Sequence, residues 1–390
     1  MKARLRTFID KIFFTPVPLS AGAHQATIDI NGKPYRLHLR IEDEGKGILI
    51  LNASTILHLN PTATEIAYHL IQNTPLPEIA ASLAKRYQVT AEAAAEDIET
   101  FKGRLDTIIE TPDLDPETFL DLERDIRHEP EKAAPLRLDC ALTYQVLSGS
   151  LNLYTPVDRV KRLLDTEEWK TILKKAWDWG IPHVIFTGGE PTLRPDLVEL
   201  VQYAQDLGQV TGLITDGLRL SDSEYRNSLL MAGLDHIMVL LDDKEDQSWE
   251  SIKDLIQEDI HVTVHITITN RNKESIRGVI LRLAEIGISH VSLSSPLDTL
   301  SDELVNASRL LAESHITLVE ELPVPYNELN PVNLELEANE AAITGSGRSW
   351  LYVEPDGDVL PRQGVVRLLG NLLTDDWINI SSNLKLYLSE

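Results

Sequence analysis

The sequence predicts an α/β fold: an incomplete (β/α)6 TIM-like barrel, preceded by a small winged-helix-like domain and followed by a small C-terminal region. Three observations carry that expectation. From residue 136 onward, six apolar strand-like segments alternate with six amphipathic helical segments. No Gly-rich phosphate fingerprint interrupts the alternation, which favours a partial barrel over a doubly wound sheet. Upstream, residues 26–52 alternate like strands and are followed by three short helical patterns.

The first region, 1–110, opens with MKARLRTFIDKIFF, basic and then apolar. Asp10 and Lys11 break the apolar stretch, so it reads as a surface or docking helix rather than a signal peptide or membrane anchor. ATIDINGKPYRLHLRI then reads as two strands about the Asn31-Gly32 turn, with GILILN as a further strand. Asn60 is placed to cap a helix that has Pro61 at its first position and Glu65 one turn on. Ile66, Ala67, Leu70 and Ile71 supply its apolar stripe, and LPEIAASLAKRY and TAEAAAEDIETFKGRL continue as two more helices. Residues 111–134, acidic and proline-bearing, read as a linker with one helical piece.

The second region, 135–315, begins with the strand LRLDCALTY at 136–144. The helix after it, EEWKTILKKAWDWG, repeats Trp169, Ile172, Leu173, Ala176 and Trp177 at the spacing of one buried face. The strands HVIFTGG, VTGLITDG, HIMVLLD, HVTVHITIT and HVSLSSP follow, each leading into a helix. They are rich in Val, Ile and Leu, as parallel strands covered on both sides must be. The third region, 316–390, holds SWLYVEPDGDVLPRQG, a hairpin turning at Pro355-Asp356-Gly357, and a final turn plus a helix or terminal strand.

Composition narrows the function. The net charge is −25 over 390 residues, which disfavours a nucleic-acid partner by repulsion. A single cysteine, Cys140, excludes an intrachain disulfide and fits a reducing cytoplasm. No uninterrupted apolar run approaches the roughly 18 residues of a membrane span. Against the acidic background, residues 1–40 carry Lys2, Arg4, Arg6, Lys11, Lys33, Arg36 and Arg40 but only Asp10 and Asp29. Such a basic face suits an acidic peptide.

Sites in parallel strand–helix folds lie at the C-terminal strand ends. Here those ends read TYQVLSGSLNLYTP, TGGEP, TDG, LLDD and SLSSP. In this order they resemble the radical S-adenosylmethionine (radical SAM) family, with a SPASM-like extension, over roughly residues 136–375. The resemblance implies a loop after the first strand that holds an iron–sulfur cluster on three cysteines. Thr143-Tyr144 and Tyr154-Thr155-Pro156 match its flanks, and the ligand positions fall on Val146, Ser150 and Leu153. None is a thiolate donor, and Cys140 lies inside the strand. Gly188, Gly189, Glu190 and Pro191 match the GGEP that the family uses toward S-adenosylmethionine. Thr215 and Asp216 stand where the family often has T-N-G, and Leu240 where many members have a serine. In the hairpin, Arg362 occupies the place of a further cluster cysteine, while Gly370-Asn371 is kept. Residues 1–110 resemble the PqqD-like module, LHLNPTATEI being the closest stretch. That resemblance implies capture of a precursor-peptide leader by strand addition, with Lys33, Arg36 and Arg40 as candidate peptide-binding residues.

The sequence therefore predicts a non-catalytic radical-SAM-like protein of a ribosomal-peptide modification (RiPP) pathway, with no catalytic residue assigned. Its partners would be a precursor or leader peptide and a catalytically complete radical SAM enzyme, with neither nucleic acid nor membrane. No cofactor and no iron–sulfur cluster are expected, although S-adenosylmethionine remains open as a ligand held without cleavage. The alternative is an enzyme that uses the barrel mouth with S-adenosylmethionine or a divalent metal on Glu190, Asp216 and Asp242. No Ser–His or Cys–His arrangement is visible, and His183, His236, His261, His265 and His290, in or beside strands, read as structural.

Overall fold

The computed structural model describes residues 19–30, 33–42, 45–51, 55–110, 134–146, 154–295, 300–319, 322–332, 347 and 349–389. The N-terminal stretch 1–18, the Asn31-Gly32 turn and the acidic segment 111–133 fall outside them. The chain forms two compact units, 1–133 and 134–390. Among the described residues no helix is long and apolar enough to cross a membrane.

In the first unit four antiparallel strands lie in sequence order: β1 (Gly22–Ile30), β2 (Lys33–Ile41), β3 (Gly47–Leu51) and β4 (Thr55–Leu59). Helices α1 (Pro61–Ile71), α2 (Leu76–Tyr87) and α3 (Ala91–Glu110) follow. Asn60 caps α1 as its position predicts, its side chain accepting from the Ala63 N–H at 2.9 Å. Leu37, Leu39, Leu49, Leu51 and Leu57 point to one side of the sheet and pack against Ala67 and Ile71 of α1 and Leu105 and Ile108 of α3. Each fully buried Leu or Ile there contributes about 1.5–3 kcal/mol of transfer free energy. A buried ion pair ties α1 to the end of α2: Arg86 meets Glu65 at 2.9 Å, and the Tyr87 hydroxyl donates to the same carboxylate at 3.1 Å.

Strand β4 is absent from the sequence reading, which ran ILHL directly into the helix. Of the basic residues that the sequence singles out, the structure describes the side chain of Arg40. Arg40 is only 4% exposed and pairs with Glu42 at 2.8 Å. Its guanidinium is engaged by Glu42, and little of it is exposed. Lys33 and Arg36 lie on β2, an inner strand between β1 and β3, and their side chains are outside the described residues. Among the described residues the end strands of the sheet are β1 and β4.

In the second unit, β5 (Arg137–Thr143), β6 (His183–Gly188), β7 (Val210–Thr215), β8 (His236–Leu240), β9 (His261–Thr267) and β10 (His290–Ser294) lie side by side in sequence order, all parallel. Helices α4 (Thr166–Asp178), α5 (Leu197–Leu207), α6 (Ser223–Met231), α7 (Asp246–Leu255) and α8 (Ile276–Ile286) connect them, and α9 (Ser301–Glu313) leads on to β11 (Thr317–Leu318) beside β10. The sheet stays open: β11 ends one side, while the other continues past β5 to β12 (Trp350–Val353), β13 (Asp358–Leu360) and β14 (Gly370–Asn371). This is the incomplete barrel that the sequence predicts. The C-terminal hairpin extends the barrel's own sheet, with β12 parallel to β5, and α10 (Trp377–Ser389) closes the chain.

Period-two alternation sorts each strand's side chains. Leu138, Cys140 and Leu142 of β5 face the helices, in one core with Trp169, Leu173, Phe186 and Leu213. The opposite parity faces the lumen. Ile185, Ile214 and Met238 form its apolar middle, with Leu240 against them. At the N-terminal ends of the strands, His183 and His236 meet Nε2 to Nε2 at 2.7 Å. Gly212 makes room for that contact, because a Cβ there would stand 2.2 Å from the His236 ring.

Candidate functional site

The barrel mouth is built around the turn that follows β6. Gly188 has φ +127°, and a Cβ at that residue would lie 2.2 Å from the Thr143 carbonyl. Only glycine lets the turn come so close to the end of β5. The next two amides fasten it there: Gly189 N–H donates to the Thr143 carbonyl at 2.8 Å, and Glu190 N–H to the Gln145 carbonyl at 2.7 Å.

Glu190 is 2% exposed. Its Oε1 accepts from the Thr192 N–H at 2.9 Å, the Thr192 hydroxyl at 2.5 Å and the Thr215 hydroxyl at 2.8 Å. Its Oε2 accepts from the Asp216 N–H at 2.7 Å. The carboxylate is thus a staple between the ends of β6 and β7. Burial, and after it the charge of Asp216, push the Glu190 carboxyl above the usual carboxylate range, against the pull of these donors. Burial also raises Asp216, whose Oδ1 accepts from the Leu218 N–H at 2.9 Å. Asp242 stands apart: it is exposed and takes the Lys244 N–H at 3.0 Å. The three carboxylates therefore do not converge, and among the described residues no three His, Cys, Asp or Glu side chains are arranged to hold a metal. Backbone amides and hydroxyls take up both Glu190 oxygens that a divalent cation would need.

Beside this turn lies a polar network that the sequence did not announce. The Tyr144 hydroxyl donates to Glu354 Oε1 at 3.0 Å, and Arg159 Nε donates to the same oxygen at 2.9 Å. The second Arg159 nitrogen donates to the Tyr326 hydroxyl at 3.3 Å. The Tyr144 and Tyr326 rings meet edge to face with centroids 5.6 Å apart, and Ala141, Tyr352 and Leu360 complete the cluster. Burial raises the Glu354 carboxyl, while Arg159 opposes the shift. Arg159, Tyr326 and Glu354 belong to three separate segments, so no local pattern could join them.

The structure also assembles a Ser–His contact that the sequence did not show. His265 Nε2 lies 3.0 Å from the Ser294 hydroxyl and 3.1 Å from that of Thr267, and Nδ1 lies 3.1 Å from Ser292. Burial takes its pKa down to about 4. With hydroxyls on both ring nitrogens, it is a neutral, satisfied imidazole inside the lumen wall, in keeping with a structural role.

The mouth can be tested against the groups that the resemblance implies. A cluster needs thiolates. Val146, half-buried at the end of β5, has no donor atom; Ser150 and Leu153, outside the described residues, bring a hydroxyl and a hydrocarbon; Arg362 brings a cation. Cys140 is fully buried on the helix-facing side of β5, where burial pushes its thiol well up. The cluster does not fit. For S-adenosylmethionine, several polar groups of the GGEP turn are engaged by the protein itself. Its amides hold β5, its carboxylate holds β7, and the Gly188 carbonyl accepts the Tyr326 N–H at 3.2 Å. Leu240 packs into the apolar lumen beside Leu322.

Comparisons agree with the class of molecule that this architecture defines. The radical SAM superfamily profile matches residues 140–279, and that of coenzyme PQQ synthesis protein D (PqqD) matches residues 47–107. The chain is 30% identical over 265 residues to the PqqA peptide cyclase of Rhizobium meliloti (strain 1021), covering 60% of this chain and 68% of that one. It is 27% identical over 240 residues to the PqqA peptide cyclase of Bradyrhizobium diazoefficiens, covering 55% of this chain and 62% of that one. Among solved structures, Streptococcus suis SuiB bound to S-adenosylmethionine superposes with a TM-score of 0.57 at 18% identity, covering 88% of this chain and 86% of that one. SuiB bound to its precursor peptide SuiA gives 0.54 at 15% identity, with the same shares covered. The chain belongs to the radical SAM superfamily, as a homologue of the PqqA peptide cyclases with a PqqD domain at its N-terminal end.

Proposed function

We propose that this chain is a non-catalytic radical-SAM-like protein of a ribosomal-peptide modification pathway, which binds a precursor peptide, an active partner enzyme, or both. One observation carries the reading. Where the resemblance places the cluster ligands, the chain has Val146, Ser150 and Leu153, and the only thiol is buried in β5. Without a cluster there is no route to reductive cleavage of S-adenosylmethionine, so the part retained for use is the peptide module.

Two facts support peptide binding. Among the described residues the first unit has β1 and β4 as the end strands of its sheet, and a sheet edge is a template for strand addition. The relatives are named as peptide cyclases, and SuiB has been solved with a precursor peptide. In this reading Lys33 and Arg36 supply the positive charge that attracts an acidic leader, chiefly by speeding association.

The test uses the full chain and a labelled precursor peptide encoded beside it. We expect saturable binding that weakens as salt rises, and weakens further in the Lys33→Glu/Arg36→Glu double variant. A folded chain that binds no such peptide overturns the peptide-binding reading.

A further inference from the structure

Residues 322–332, LPVPYNELNPV, cross the barrel mouth without belonging to its sheet or helices. We propose that the mouth is a binding site for an extended, tyrosine-bearing peptide, filled in cis by this segment, with Tyr326 as its anchor.

The contacts are those by which a peptide ligand is held. Tyr326 is 2% exposed. Its ring stands edge-on to Tyr144, its hydroxyl accepts from Arg159, and its main-chain N–H donates to the Gly188 carbonyl at 3.2 Å. An aromatic anchor in a desolvated pocket, backed by main-chain pairing, is the usual core of such recognition. At one end Leu322 packs on Ile185, Ile214 and Met238, so the segment reaches the apolar lumen. Between them, the Val324 carbonyl accepts from Gln363 Nε2 at 2.7 Å and from Asn330 Nδ2 at 2.8 Å. Beyond the anchor, Asn327 Oδ1 accepts the Leu329 and Asn330 N–H groups at 2.7 and 2.9 Å, which turns the chain, and Glu328 pairs with Arg271.

The sequence of the segment is suited to the task. Pro323 and Pro325 fix φ on both sides of Val324 and hold the approach to Tyr326 extended. Preorganisation of that kind lowers the entropy lost on seating. The occupant covers the Gly188 carbonyl, so the GGEP turn receives a peptide amide there. This inference concerns the second unit and stands apart from the docking proposed for the first.

The experiment uses the full chain and a labelled free peptide of sequence LPVPYNELNPV. In wild type we expect amide exchange across 322–332 to be slowed at least 100-fold relative to the free peptide, and no binding of the peptide in trans. The Tyr326→Ala variant should bind it saturably, at least tenfold more tightly than a peptide with alanine in place of tyrosine. Wild-type exchange as fast as that of the free peptide overturns the proposal. So does a cooperatively melting Tyr326→Ala chain that binds neither peptide, or both alike. If Tyr326→Ala does not fold, the wild-type exchange together with Tyr326→Phe decides: loss of the Arg159 contact alone should raise exchange across 322–332 measurably, and an unchanged rate overturns the anchor role.

Discussion

The Tyr326 N–H donates to the Gly188 carbonyl at 3.2 Å and joins the C-terminal part of the chain to the most diagnostic turn of the barrel. The bond ties the segment 322–332 to that turn. The Tyr144–Glu354–Arg159 network beside it carries the buried charge, and its strength can be measured.

Arg159→Ala removes the cation from a carboxylate that is 4% exposed. Stripping one partner from a buried pair costs about 3–5 kcal/mol. Because Arg159 is itself partly exposed, we expect the lower end of that range in urea denaturation. Glu354→Gln should cost less, since the amide retains an acceptor for Tyr144. Equal, negligible losses in both variants would remove the network from the account.

Glu190 should behave as a staple. Glu190→Ala leaves the Thr192 and Thr215 hydroxyls and two amides without their acceptor. Each unsatisfied buried group costs about 1–3 kcal/mol, and partial relaxation should leave a total of about 3 kcal/mol. An unchanged melting curve would show that the carboxylate is held for another purpose.

Gly212 and His236 should be coupled. A Cβ at Gly212 would press on the His236 ring at 2.2 Å, so Gly212→Ala should cost about 1–3 kcal/mol by overpacking. In a His236→Ala background the same change should cost almost nothing. Additive losses in the double-mutant cycle would contradict the packing argument.

The same histidine sets a pH dependence. Burial, and then the nearby His261 and Arg137, bring the His236 pKa from 6.5 down to about 3, with His183 in contact. Below about pH 6.5 the unfolded chain takes up a proton that the folded chain refuses. Stability is therefore complete above that pH and falls as pH drops toward 3, by up to about 1.4 kcal/mol per unit for this site. His261, His265 and His290, also lowered, act in the same direction. The contribution of His236 itself is the difference between wild type and His236→Asn, which should narrow as pH falls through this window. A constant difference would contradict the assignment.

Much of the barrel was legible because its signals are local. Apolar runs fix β5 to β10, and helical spacing fixes the faces between them, as with Trp169, Ile172 and Leu173 on α4. The mouth was legible only where one short motif carries it, as in Gly188 to Pro191. Strand β4 was hidden because Thr55–Leu59 is five residues long and runs directly into the Asn60 cap. The burial of Arg40 was not legible because charge in a sequence does not reveal burial, and Glu42 two residues on makes burial tolerable. Arg159, Tyr326 and Glu354 were out of reach, since only the folded sheet, with β12 beside β5, brings them together. The histidine contacts were missed for the same reason: His265 meets Ser292 and Ser294 across a strand pair.

The central claim is that this radical SAM scaffold carries no radical chemistry of its own. The most direct measurement is anaerobic reconstitution of the full chain with iron and sulfide, followed by assay of bound iron and of 5′-deoxyadenosine formed from S-adenosylmethionine under a strong reductant. The account predicts no stoichiometric iron or sulfide and no 5′-deoxyadenosine above a protein-free control. Bound iron and sulfide in cluster proportion, together with turnover of S-adenosylmethionine, would contradict it.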